Sequence, residues 1–243
     1  MEKTIQKPLF REVVAVTTMN LDDVGLVFNA QRVGPANFAG LRGADYGPGF
    51  RMPTMPKLVP LVYASLENQD YETAKNVIKT LKNNWLTGNT VIHYFPEGMF
   101  VEDMPQMKDG RIVRPSFKTL ERKLGKHEEK GVVFGDDGRT RFTPYNYKRE
   151  SQSALKLSKN TGVIALTGSE ENAEKLAEAS KHYRANPYFW ALSDVGSPET
   201  RVAGLYSDGF DGRLDVDAGG SEDGGGRCSF GVLEKDTVGV AKK

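Results

Sequence analysis

Residues 201–231 read RVAGLYSDGFDGRLDVDAGGSEDGGGRCSFG, and the fold turns on how that stretch is taken. It holds nine glycines, five aspartates and three arginines, with no lysine, asparagine, glutamine or methionine. Nine glycines placed in regular elements would cost about 5–9 kcal/mol relative to alanine, comparable to the net stability of a whole domain. Apolar residues nevertheless recur with period two, at Leu214, Val216 and Ala218 and again at Cys228, Phe230 and Val232. Such alternation marks half-buried strands. It predicts strands over Arg213–Ala218 and Arg227–Leu233, with Arg213, Asp215 and Asp217 on an exposed outward face. Strands over Tyr188–Leu192 and Arg201–Tyr206 precede them, and the Gly/Asp/Ser groups between are turns. The inward rows are kept while the outward residues look unconstrained, and that mismatch is the functional clue.

The rest of the chain sets bounds. At 243 residues, 38% hydrophobic and 27% charged, it has enough material for one large core, and its formal charge of +1 gives no global pull toward nucleic acid or membrane. The single cysteine, Cys228, excludes an intramolecular disulfide framework and a cysteine-based zinc cluster. The first twenty residues lack the apolar core of a signal peptide, and no run approaches the ~20 apolar residues of a membrane span. The expected location is therefore the cytoplasm, or a virion or cell surface reached by another route.

Upstream, Val14, Val16 and Thr18, then Val24, Leu26 and Phe28, predict two strands joined around residues 20–23. Residues 34–49 read as a loop. Thr54 with Pro56 starts a helix carrying Leu58, Leu61, Val62 and Ser65 on one face, and Pro60 is expected to bend or fray it. A stronger helix after Asp70 places Ala74, Val77, Ile78, Leu81 and Trp85 at helical spacing. Ser116 caps a short helix through Leu124, Val132–Phe134 and Arg139–Thr143 form a hairpin, and another short helix lies near residues 150–159. The run GVIALTG (162–168) reads as a buried strand, followed by a helix capped at Ser169 with Ala173, Leu176, Ala177 and Tyr183 inward.

Familiar catalytic spacings are absent. His93, His127 and His182 lie far apart, no GxSxG or GxxxxGK[ST] occurs, and the aspartates at 208, 211, 215, 217 and 223 do not fit a twelve-residue calcium loop. Neither a metal nor a cofactor is expected. Within 201–231 acids outnumber basic residues six to three, which argues against a nucleic-acid surface. Of the aromatic trio Tyr188, Phe189 and Trp190, at least two are expected in the core. Tyr206 and Phe210 are candidate binding anchors.

Three motifs, GFRMPTMPKLVPLV (49–62), PYFWAL (187–192) and RCSFGV (227–232), resemble in order and spacing the C-type-lectin-fold domains related to formylglycine-generating enzymes. Arg51, Pro53, Thr54 and Leu58 match the family's "WRLPT-x-x-E-L" helix start, Tyr188–Trp190 its "YWSS" strand, and Arg227, Cys228 and Phe230 its "FRCVR"-like closing strand. The resemblance covers roughly residues 49–66 and 186–234. It implies an α+β C-type lectin fold of the formylglycine-generating-enzyme-like subtype, with mixed short strands and two or more packed helices. On this reading residues 1–243 are one domain, about 86–165 is an elaboration, and about 190–234 is a variable region.

Within that fold the sequence is similar to variable proteins of diversity-generating retroelements, of archaeal or archaeal-virus type. Their C-terminal region is rewritten through a reverse-transcribed template with errors at adenines, so asparagine codons become codons for Asp, Gly, Ser, Arg, Ala, Val, Leu, Phe, Tyr or Cys. Residues 201–231 use that alphabet with Glu222 the exception, and no asparagine follows Asn186. The variable region here is rich in aspartate and glycine where bacterial and phage members favour tryptophan and serine. The EPN, QPD and WND sugar-binding motifs and the paired cysteines of the oxidases are absent, so neither activity is implied.

The resemblance implies a non-enzymatic protein that binds a protein or other macromolecular surface ligand. Its implied contact set is Asp194, Gly196, Gly204, Tyr206, Ser207, Asp208, Phe210, Asp211, Gly212, Arg213, Asp215, Asp217, Gly219, Gly220, Asp223, Gly224, Gly225 and Cys228, with Arg213, Tyr206 and Phe210 as hot spots. Two alternatives remain at this point. One is an enzyme using paired carboxylates among Asp208–Asp217; the other is a structural surface component whose glycine-rich end is a flexible tip.

Overall fold

A computed structural model describes residues 10–13, 18–208 and 212–234. Strands β1 (Phe10–Val13), β2 (Thr18–Leu21) and β3 (Leu26–Ala36) lead to helices α1 (Phe38–Arg42), α2 (Met55–Glu67) and α3 (Glu72–Asn83). Next come β4 (Trp85–Phe95), β5 (Gly98–Asp103), the small pair β6 (Met107–Lys108) and β7 (Arg111–Ile112), and α4 (Phe117–Glu121). Then follow β8 (Leu124–Glu129), β9 (Val132–Gly135), β10 (Thr140–Thr143), α5 (Ala154–Ser158), α6 (Thr161–Thr167) and α7 (Glu170–Ser180). The chain closes with β11 (Tyr188–Trp190), β12 (Glu199–Asp208), β13 (Arg213–Gly220) and β14 (Arg227–Glu234).

One twelve-stranded sheet runs β1-β2-β3-β14-β4-β5-β10-β9-β8, and β12, β13 and β11 branch from it at β4. The long β4 is the junction. Its first residues pair in parallel with Arg227 and Cys228 of β14, while Leu86 and Thr87 also lie opposite Leu205 and Gly204 of β12. Its later residues are shared between β5 and β12. Residues 86–103, the first part of the stretch expected as an elaboration, lie in the middle of the sheet.

Helix α2 is buried on nearly every side, from Met55 to Leu66, as expected of a helix that is apolar all round. Pro60 does not break it. Its missing N–H would orphan the Pro56 carbonyl, but Asn172 Nδ2 donates to that oxygen at 3.1 Å. The same amide nitrogen donates to Thr167 O at 2.9 Å, and the Asn172 N–H reaches the Ser169 cap. Asn172→Ala should therefore cost about 1–2 kcal/mol, because two partly buried carbonyls lose their donor. Urea unfolding checks this, and an unchanged midpoint would refute it.

The start of α2 is fixed from β4. The Met55 N–H donates to Thr90 Oγ1 at 2.9 Å, and Asn89 N–H to Pro53 O at 2.7 Å. A Cβ on Gly88 would stand 2.8 Å from Met55 N, so only glycine lets the strand approach this closely.

Several local expectations need correction. Residues 162–168 are not a strand: Thr161–Thr167 form α6, capped by Asn160, which accepts the Gly162 N–H at 3.0 Å, and ended by Gly168 at φ 85°. A short unbroken apolar run carries no period, so only the Asn and Gly caps distinguish the two forms. Helix α3 stops at Asn83, and Trp85 opens β4 instead of completing the helical face. Helix α4, capped by Ser116 as read, ends at Glu121, and Leu124 begins β8. The 34–49 segment contains the end of β3 and α1. The β9–β10 hairpin, the Ser169-capped helix and the four closing strands are present, but α7 ends at Ser180 before Tyr183, β11 stops at Trp190 instead of Leu192, and β12 spans Glu199–Asp208 instead of Arg201–Tyr206. Val14 and Val16 lie outside the described residues.

Candidate binding face

Strand pairing decides which closing-strand side chains share a surface. Tyr188 lies opposite Asp215 and Trp190 opposite Asp217 across the parallel β11–β13 pair. On the other side of β13, Asp215 faces Tyr206 and Asp217 faces Gly204. Directly paired residues point to the same side of a sheet. One face therefore carries two rows: Tyr188, Asp215 and Tyr206, then Trp190, Asp217, Gly204 and Thr87. The opposite face carries Phe189, Leu205, Leu214, Val216 and Ala218, all without solvent exposure and all in the main core.

The outward face is not an open acidic surface. Asp215 and Asp217 are 5% and 7% exposed, against the expectation that both face solvent. Large neighbours cover them, a consequence alternation alone does not reveal. Tyr188 and Trp190 lie tilted with ring centroids 4.3 Å apart, and Trp85 stacks on Tyr206 at 4.9 Å. The Arg213 guanidinium sits 5.0 Å from the Tyr188 ring centre and donates through Nε to Asp215 Oδ1 at 2.8 Å. Of the aromatic trio only Phe189 is core. Tyr188 is half-buried and Trp190 is 44% exposed, so the expectation of two core rings fails.

Asp217 accepts the Gly219 N–H at 2.8 Å. Burial pushes its carboxyl up to about 6, against the opposing pull of that N–H and of Arg227. In the unfolded chain the group ionises near 3.8, so between the two values the folded protein holds more protons. The contribution of Asp217 to stability should therefore fall as pH rises from about 4 to 6 and level off above that. Asp217→Asn should remove this contribution and raise stability at pH 7–8 by about 2–3 kcal/mol. Melting temperature against pH for both proteins checks it, and parallel profiles would rule it out.

Arg227 organises the far end of the face. It is 4% exposed, with Nη1 donating to Thr87 Oγ1 at 3.3 Å and Nη2 to Ser221 O at 2.9 Å. Its guanidinium thereby holds the 221–226 turn against β4. Glu222 of that turn reaches back toward Arg111 and Arg114.

The remaining sequence-assigned positions divide. Asp194, Gly196, Asp223 and Gly225 are exposed, while Gly212, Gly219, Gly220 and Gly224 are half-buried. Ser207 pairs with Leu214 on the core side and is 1% exposed. Cys228 is fully buried, and burial raises its thiol above the ordinary range. Neither is a surface contact, which corrects their place in the set. Gly204 is buried at its backbone, but its open side belongs to the outward face. Phe210, Asp211 and the Asp208 side chain lie outside the described residues.

Sequence reasoning missed Trp85, Thr87, Trp190 and Arg227 as members of this face. The available signal was WLTGNTVIHYF, whose β-branched and aromatic content marks a strand. Among the described residues no three His, Cys, Asp or Glu side chains are grouped to hold a metal, and no helix is long and apolar enough to cross a membrane. A cleft of about 390 Å³ lies elsewhere, bordered by Tyr147, Lys148, Leu155 and Lys156, with Glu150 as its acidic lining residue.

The chain has the C-type lectin fold, built here as a long branched sheet with helices packed on it and β14 set between β3 and β4. The structure matches a solved one described as accommodation of massive sequence variation in Nanoarchaeota by the C-type lectin fold. The match covers 84% of this chain and 96% of the other, at a TM-score of 0.51 and 16% identity. No family model and no curated protein matches the sequence.

Proposed function

We propose that this chain is a non-enzymatic binding protein whose C-terminal surface is diversified by a retroelement through adenine-directed mutagenesis. The observation that carries the reading is the likeness in fold to a Nanoarchaeota structure concerned with massive sequence variation. The restricted alphabet of residues 201–231, centred on strands β12 and β13, supports it. The rows around Tyr188, Trp190, Tyr206 and Arg213 supply the contact surface, and its ligand is a protein or other macromolecular surface. Aromatic and arginine side chains concentrate binding energy, so half-exposed Trp190 joins Tyr206 and Arg213 as an anchor.

Sequencing the gene's surroundings tests the proposal. The expected result is a near-copy of the DNA encoding about 190–234, with AAC or AAT codons at varied positions, and an adjacent reverse transcriptase gene. A locus with neither overturns the diversification reading.

A further inference from the structure

The closing strands do not tolerate side chains equally, and the difference can be read position by position. Gly204 sits inside β12 with no positive φ, and a Cβ there would meet nothing nearer than 3.4 Å. Glycine within a strand usually marks a bulge or a close backbone approach. The bulge lies between Val202 and Gly204, yet the space above Gly204 is of ordinary van der Waals size. Its flanks are Trp85 Cε3 and Thr87 Oγ1, each 3.5 Å from the added carbon, and its cross-strand neighbour is Asp217. Gly204 is itself buried, so a side chain there would enter the row between Asp217 and Thr87 and extend it outward.

Gly219 is similar, with Asp217 Oδ1 at 3.4 Å as the neighbour of its Cβ, and Gly225 and Gly226 meet nothing within 4 Å. Gly220 is the opposite. Its Cβ would lie 2.8 Å from Val202 O and closer still to the Arg227 guanidinium. That guanidinium cannot swing aside without giving up Thr87 Oγ1 and Ser221 O. Gly231 is blocked by Phe50 and Tyr46 Cβ atoms, both at 2.9 Å.

From this geometry we infer that the specificity-determining positions of the face are Gly204, Gly219, Gly225 and Gly226, whereas Ser207, Gly220, Cys228 and Gly231 form a fixed floor. The inference rests on the binding reading above and narrows it. Most of the surface that differs between copies is then written on a four-position set around one strand position and one turn.

Two measurements test it. Gly204→Thr, Gly219→Ser and Gly226→Asp should each melt within about 2 °C of the parent, while Gly220→Ala should fall by about 5–10 °C. Equal losses at permissive and fixed positions would overturn the inference. In the second, two display libraries, one randomised at the four glycines and one at the four floor positions, are selected on immobilised lysozyme. Folded lysozyme binders from the first library, with mostly misfolded members in the second, support both the inference and the binding reading. A first library that folds but yields no binder above the parent leaves the steric division standing and overturns the binding reading. Binders arising mainly from the floor library overturn the inference itself.

Discussion

Arg141→Met should lower the unfolding free energy by about 3–5 kcal/mol, because it strands a carboxylate inside the protein. The Arg141 and Asp103 side chains are 4% and 6% exposed and bonded at 2.7 Å. Asp103 also accepts from Thr90 Oγ1 at 2.5 Å, and Arg141 Nε donates to Ala165 O at 2.6 Å. Thr90 in turn receives the first N–H of α2, so one ion pair joins α2, α6 and three strands' worth of backbone. Arg141 Nη2 has no partner in the structure, which limits what the intact pair contributes. Replacing both residues, as Arg141→Met with Asp103→Leu, should accordingly recover much of the loss. Urea denaturation of the two single variants and the double variant measures this. A single-variant loss below about 1 kcal/mol would show that water reaches the site and that the pair is not isolated.

Phe189→Ala should be nearly as damaging, at about 3–5 kcal/mol. The ring is fully buried, meets Tyr147 at 5.8 Å between centroids, and fills the space beside Gly162 so closely that a Cβ there would be 2.6 Å from it. It is also the inward residue of the three-residue β11, whose outward neighbours Tyr188 and Trp190 belong to the proposed binding face. Loss of the ring should therefore shift Trp190 fluorescence as well as stability. Trp190→Ala, by contrast, should change stability by no more than about 0.5 kcal/mol, as for an ordinary surface site. If the two substitutions proved equally costly, the division of β11 into a core ring and two surface rings would be wrong.

Much of this architecture was legible in residue patterns. The period-two rows at 214–218 and 228–232 located the inner face of the closing strands, and the Ser116 and Ser169 caps located two helices. Three motifs at wide spacing pointed to the C-type lectin fold, which the structural match bears out. Other features depended on partners distant in sequence. Pro60 stays helical because Asn172 replaces its missing donor, and nothing near Pro60 announces that. Asp215 and Asp217 alternate as outward residues should, yet aromatic side chains from β11, β12 and β4 flank their rows. Alternation fixes direction but not depth of burial, which belongs to the assembled sheet.

The return of β14 to the sheet's middle has a consequence for how the molecule forms. Residues 227–234 lie against 26–36 on one side and against Trp85 and Leu86 on the other. The two halves of the sheet are thus joined by a strand that emerges from the ribosome after every other strand described. Contacts so distant in sequence form late and slowly. Strand β12 precedes β14 in the chain and pairs with the same Leu86 of β4. On the proposed reading, each version of the 199–226 segment would be screened by the folding reaction itself: a sequence that cannot pair with β4 leaves the sheet open, exposing strand edges prone to aggregation and loss. If the segment is diversified as proposed, biosynthesis would discard unsuitable copies before any ligand was met.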